Sequence, residues 1–417
     1  MEPVSLALGI IPVLGGSVKI YKSTHSKLKN FRHYSREVDR VRKLFDRQKH
    51  FFRSFGITRR ASQALYDALW AAWSTQDAAR FQHVVRLFLE TKADQGVQLN
   101  LVISCLGRNL VQQSMIKIHV KSQSLDWMAG SISAAPDQAL CREPKRRLTT
   151  TTTSLSVPSL PTSTPDLRTN QHFCSALTPK PSHHHHHHQP PALSRTRCVG
   201  FLDTSSHDRF RHEFFNCCES VCWTLKRLDQ VLSEPRSDEL SIQHQLQLAL
   251  SIASAVLKFN STPWLGEYWS LQDLHFFERD SDLPTSLQTV HVGTECKKIA
   301  SANAALMELD VSDALEDAKL IHGIQNPIMY NLGVALLSIG RWNLVDPHDV
   351  LKARRIASQT CPLGPRYQEL TRKVLDCDFG YGKDLRRPKL QEAVYDGVLL
   401  ELEFMISALS LDEDPGL

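Results

Sequence analysis

Cysteine is scarce: ten in 417 residues, too few for a chain held together by disulfides. No uncharged apolar stretch reaches the ~18 residues that a membrane-spanning helix needs. The greasy run at the start, Pro3 to Val18, falls just short. The start, Met1 to Tyr21, carries Glu2 and lacks a basic leader, so it does not read as a standard secretory signal. Mean hydropathy of −0.27 argues against a polytopic membrane protein. The 42% hydrophobic content argues against a chain disordered throughout. The expectation is a cytoplasmic protein, peripheral to a membrane if it meets one at all.

Catalytic signatures are missing as well. No G-x-S-x-G elbow and no Walker loop occur; Gly380-Tyr381-Gly382-Lys383 has neither the spacing nor the hydroxyl residue. His212-Glu213-Phe214-Phe215-Asn216 has Asn where a zincin helix needs its second His. Cys217, Cys218 and Cys222 lie near His212, but no second pair follows at metal-finger spacing, so buried small hydrophobes are the simpler reading. Asp378-Phe379-Gly380 spells the magnesium triplet of protein kinases. No glycine-rich loop, strand Lys or catalytic loop precedes it, and little chain follows it. His348-Asp349 reads as a helix start. No catalytic residue, metal site or cofactor is expected.

Charge, by contrast, is unevenly placed. Lys19 to Arg60 holds 14 Lys and Arg against Glu37, Asp39 and Asp46, a net +11 in 42 residues, which leaves −6 for the rest. Such a block suits an anionic partner or a solvated helix face. Within it, Phe31, Val38, Phe45 and Phe52 recur every seven residues, as do Tyr34, Val41, Gln48 and Phe55. Offset by three, the two series predict one stripe on a helix over 24–55, stopped by Gly56. Ahead of it, 1–22 reads as an apolar helix, either buried in a core or able to enter a membrane. Further helices are expected at 61–73, through Phe81 to Phe88, and over 95–120. The expectation for 1–128 is therefore a helical bundle.

Between 131 and 200, Ser, Thr and Pro fill 28 of 70 positions. Thr149 to Thr153 and His183 to His188 are homopolymer runs. This composition reads as a disordered linker over 129–204, and translated intron is an alternative origin. Beyond it, helices are expected at 208–232, 241–259, 327–337, 347–359, 365–376 and 388–409, with a short strand at 274–277. The fold class that follows is mainly α, an N-terminal helical bundle and a C-terminal helical domain over 205–417, joined by a Ser/Thr/Pro/His-rich linker.

Several stretches of the second half carry a resemblance. They are Leu248-Ala249-Leu250-Ser251-Ile252-Ala253, Thr262-Pro263-Trp264-Leu265, Asp273-Leu274-His275-Phe276, Asn326-Pro327, Cys377-Asp378-Phe379 and Leu390-Gln391-Glu392-Ala393-Val394-Tyr395-Asp396-Gly397-Val398. Together they resemble an uncharacterised domain of unknown function found widely in filamentous fungi, itself similar to a degenerate kinase C-lobe. Ser338-Ile339 departs from it where the family usually has Glu. Leu6 to Leu14, followed by the basic aromatic helix, is similar to HeLo-type domains of fungal prion-inhibition and cell-death proteins. That likeness implies a non-enzymatic signalling protein with a membrane-associating module. Leu8, Ile10, Ile11, Val13 and Leu14 would insert, and Lys27, Lys29, Arg32, Arg36 and Arg40 would meet anionic headgroups. The alternative is a pseudokinase-like scaffold that binds a protein partner and has no membrane role. Homo-oligomerisation is compatible with both. Nucleic-acid binding is not expected, because the aromatics of the basic helix lie on its packing stripe.

Overall fold

A computed structural model describes residues 27–74, 81–93, 96–107, 114–125, 164–169, 173–177, 197–204, 209–216, 224–278, 282–296 and 321–412. The chain divides into two compact units, Met1–Arg53 and Ser54–Leu417. The described part of the first is helical, the beginning of α1 (Lys27–Ser74). The second unit holds the rest of α1 and everything that follows.

The mainly-α expectation is overturned. The second unit is built on a nine-stranded antiparallel sheet, so the fold is mixed α and β. Its strands are β1 (Phe81–Phe88), β2 (Lys92–Ala93), β3 (Val97–Gly107), β4 (Ser114–Ser124), β5 (Arg197–Asp203), β6 (Phe210–Asn216), β7 (Thr224–Arg227), β8 (Leu274–Glu278) and β9 (His291–Cys296). They run in the order β5-β6-β4-β3-β1-β9-β8-β7, with β2 beside β3. The N-terminal helical bundle and the helix expected over 208–232 are thereby corrected. Alternation is the physical reason. Val97, Leu99, Leu101 and Ile103 are buried, and so are Ile116, Ile118 and Val120. Every second residue falls on one face of a strand but on opposite sides of a helix. Phe210, His212, Phe214 and Asn216 continue the same buried face on β6, while Arg211, Glu213 and Phe215 point the other way. His212 and Glu213 thus share no ligand face.

Pieces of 129–204 belong to this sheet. β5 pairs with β6, and a 3-10 turn (Leu167–Thr169) and α2 (Phe173–Leu177) bury Leu167, Phe173 and Leu177. The Phe173 ring meets Trp73 edge-on at 5.7 Å and Phe214 at 6.0 Å. That clamps the end of α1 to the buried sheet face. The sequence stopped this helix at Gly56, yet it runs on to Ser74. A mid-helix Gly costs only ~1 kcal/mol. The apolar ladder Ala61, Ala64, Leu65, Ala68, Leu69, Ala72 and Trp73 is buried and offsets it. Trp264 Nε1 also donates to the Ser62 carbonyl, 2.8 Å.

The helices are α3 (Leu228–Ser233), α4 (Ile242–Phe259), α5 (Leu283–Leu287), α6 (Pro327–Arg341), α7 (Val350–Ser358), α8 (Pro365–Leu375), α9 (Pro388–Val394) and α10 (Leu400–Asp412), the last two joined through a π turn (Tyr395–Leu399). α6 is the core helix. Asn326 caps it by accepting from the Met329 N–H, and Pro327 opens it. Twelve of its fifteen residues are buried, consistent with its apolar composition. Gly333 and Gly340 let α8 approach closely. A Cβ at Gly333 would stand 2.6 Å from the Leu375 Cα, and one at Gly340 2.5 Å from the Tyr367 ring. Ser241 and His244 form a reciprocal cap on α4.

Candidate binding groove

The entry to α6, the loop that leaves it and the turn before β8 converge on an open groove of about 1060 Å³. Its floor is apolar. Val334, Val345 and Val350 belong to a buried cluster with Ile324 and Leu337. Tyr330 adds its ring, and its hydroxyl donates to the Pro347 carbonyl at 2.9 Å. Burial pushes that phenol up to about 12, so it stays a neutral donor.

The walls are held by polar groups that are already engaged. Ser338 Oγ accepts from the Val345 N–H, 3.1 Å, and donates to the Val334 carbonyl, 2.9 Å, which fixes the loop leaving α6. Asp346 Oδ1 accepts from the His348 N–H at 2.9 Å, and Asp349 Oδ1 caps α7 through the Lys352 N–H at 3.0 Å. Arg354 Nη1 donates to the His322 carbonyl, 2.9 Å, and its Nε lies 3.5 Å from Asp376. On the opposite wall, Asp229 accepts a bidentate pair from Arg227, 3.0 and 2.5 Å. Asp273 accepts from the Ser270 N–H at 2.7 Å and so shapes the Tyr268–Gln272 turn.

The rim, in contrast, is apolar and open. Ile321 is 72% exposed, Tyr268 41% and Leu344 37%. Lys352, His322 and His348 line the same groove. Among the described residues no carboxylate pairs with Lys352. This arrangement can grip an apolar group and screen a negative charge beside it.

Leu8, Ile10, Ile11, Val13 and Leu14 lie outside the described residues. Lys27, Lys29, Arg32, Arg36 and Arg40 fall on the α1 backbone, and their side chains lie outside the described residues. So do Cys217, Cys218, Cys222 and the six-His run. Among the described residues no helix is long and apolar enough to cross a membrane, and no group of three or more His, Cys, Asp or Glu is placed to hold a metal ion. Asp378 is exposed in the turn after α8, where Gly380 takes φ +78°, remote in sequence from the groove's segments. Asn326-Pro327 lay inside a stretch already noted, but the groove gathers residues from 229, 268–272 and 321–352. No local pattern announces that union. No protein-family model matches the chain, and no curated protein matches it.

Proposed function

We propose that this protein is a non-enzymatic interaction protein, a scaffold whose helical half takes an apolar segment of a protein partner into the groove between Tyr268 and Leu344. One observation carries the reading. The groove's buried polar groups are spent on its own loops, while Tyr268, Ile321 and Leu344 remain exposed around an apolar floor. Exposed apolar surface gathered around a concave floor marks a binding site. The expected segment presents an aromatic or aliphatic anchor, with Asp or Glu beside it to meet Lys352 and the two His. Asp346 on the same wall is partly satisfied by the His348 amide and does not oppose this. The membrane-module reading leaned on an N-terminal helical bundle, and β1, β3 and β4 stand where its helices through Phe81 to Phe88 and over 95–120 were expected. The scaffold would work in the cytoplasm, and free Cys198, Cys361 and Cys377 suit a reducing setting.

Peptide display against the full-length protein tests this reading. Selected peptides should share an apolar anchor flanked by acidic residues. Leu344→Glu should weaken them by at least about tenfold, since burying a charge on an apolar contact costs more than 1.4 kcal/mol. Its thermal midpoint should stay unchanged, because Leu344 is exposed. Peptides that bind Leu344→Glu as well as the parent, or no enrichment, would remove the groove from the argument.

A further inference from the structure

The sheet carries a buried positive charge that no described carboxylate balances. On β1, Arg86 faces away from Val85 and Leu87, and its register partners are Val102 on β3 and Gly293 on β9. It is 7% exposed. Nη1 donates to Ser104 Oγ at 2.6 Å, and Ser104 is fully buried. Among the described residues no carboxylate pairs with the guanidinium. Burial pulls it below its ordinary range, with no described acidic neighbour acting against that pull. Buried cations are normally paired, so an arginine kept here without a counter-charge needs an explanation.

Its surroundings are basic too. His291 on β9 stands opposite Phe88, His275 on β8 opposite His291, and Arg227 on β7 opposite His275. The two imidazoles stack at 6.1 Å, and Phe277 lies against His291 at 4.6 Å. Arg227 is committed to Asp229. His291 Nδ1 donates to the Thr289 carbonyl, 2.8 Å, so Nε2 is left as an acceptor, and it is buried with no partner. His275 is half-buried and reaches the surface. Burial lowers both imidazoles, and the Arg86 charge lowers them further, which puts all three groups in one electrostatic neighbourhood. A Cβ built on Gly293 would touch, among the described residues, only Arg86 Cγ, at 3.8 Å, so position 293 beside the guanidinium leaves space.

We propose that Arg86, with His275, His291 and the bare backbone of Gly293 around it, forms an oxyanion-binding site on this face of the sheet. The ligand class is a phosphate or carboxylate group, which supplies a counter-charge that no described residue gives Arg86. The planar guanidinium suits such groups, since its remaining N–H donors match two oxygens at once.

Thermal unfolding of the full-length protein at constant ionic strength tests the site, with inorganic phosphate, sulfate and acetate as probes and chloride as the reference salt. At least one oxyanion should raise the midpoint saturably over chloride. Arg86→Met should weaken that response by about tenfold or more. Its own midpoint without oxyanion should equal or exceed the parent's, because an unbalanced charge has been removed. The probes separate the sources. Hydrogen phosphate is the one of the three that carries a proton for His291 Nε2, whereas acetate reports a carboxylate ligand. If Arg86→Met does not fold, Gly293→Ala narrows the space and leaves the charge, and it should weaken the same response. A response to none of the three anions, or one that both variants retain in full, would overturn the proposal.

Discussion

His212 shows what a single buried side chain does to the whole stability curve. It lies on β6 with no exposed surface, and its Nδ1 is 2.7 Å from Ser122 Oγ while Nε2 has no partner. Burial lowers its pKa to about 3, and the Asp203 charge only partly offsets that. His291 is lowered to about 3 by the same cause. The unfolded chain binds a proton near pH 6.5 and the folded protein does not, so the unfolded state carries more protons below that pH. Stability is therefore fully present above about 6.5 and is lost as pH falls toward 3. Between pH 7 and 5 each imidazole should remove about 2 kcal/mol. Urea unfolding of His212→Gln at both pH values should show about half of the combined histidine loss, and an unchanged pH slope would mean that His212 is not buried neutral. No residue pattern forecast this role. The sequence drew attention to His212 only for a zinc motif, and its strand position gives it a different task.

At the scale of elements, legibility tracked the hydrophobic period. α4, α6, α7 and α8 have apolar spacing near 3.6 and clear caps at Ser241, Asn326 and Asp349, and they stand within a few residues of their expected bounds. β3 and β4 were mistaken for helix, although Ile116-Lys117-Ile118-His119-Val120-Lys121 alternates strictly and ends in a buried Ser122. β1 is harder. Val84 to Phe88 is a nearly continuous apolar run, central in its sheet and covered on both faces, and periodicity cannot separate such a strand from a helix. Gly56 was misjudged for another reason, because a helix-breaking residue was weighed without the packing that follows it. A Cβ there would meet nothing within 4 Å, and the backbone is helical. Gly56→Ala should accordingly raise stability by roughly 0.5–1 kcal/mol. A lowered melting midpoint would show that the α1 backbone bends at this point.

For the molecule as a whole, the two architectures make opposite demands on the chain between β4 and β5. Two helical domains on a linker would be covalent neighbours and little more. The sheet binds them differently. β4 pairs with β6 from Ile118–Asn216 to Ser124–Phe210, and β1 pairs with β9 from His83–Cys296 to Phe88–His291. The strands on either side of 125–196 are thus hydrogen-bonded to each other at two separate edges. Between them lie the Trp73–Phe173–Phe214 contacts of the buried face. Cooperative burial of this kind does not depend on an intact backbone at one loop. A protease site inserted between Thr150 and Thr151 tests this demand. After cleavage the two pieces should elute together at the mass of the uncut protein and part only in denaturant. The nick should lower the melting midpoint and leave a single transition. Pieces that separate in native buffer would restore the picture of independent halves. The β4–β6 ladder would then be absent in solution, and the buried face on which His212 lies would be lost with it.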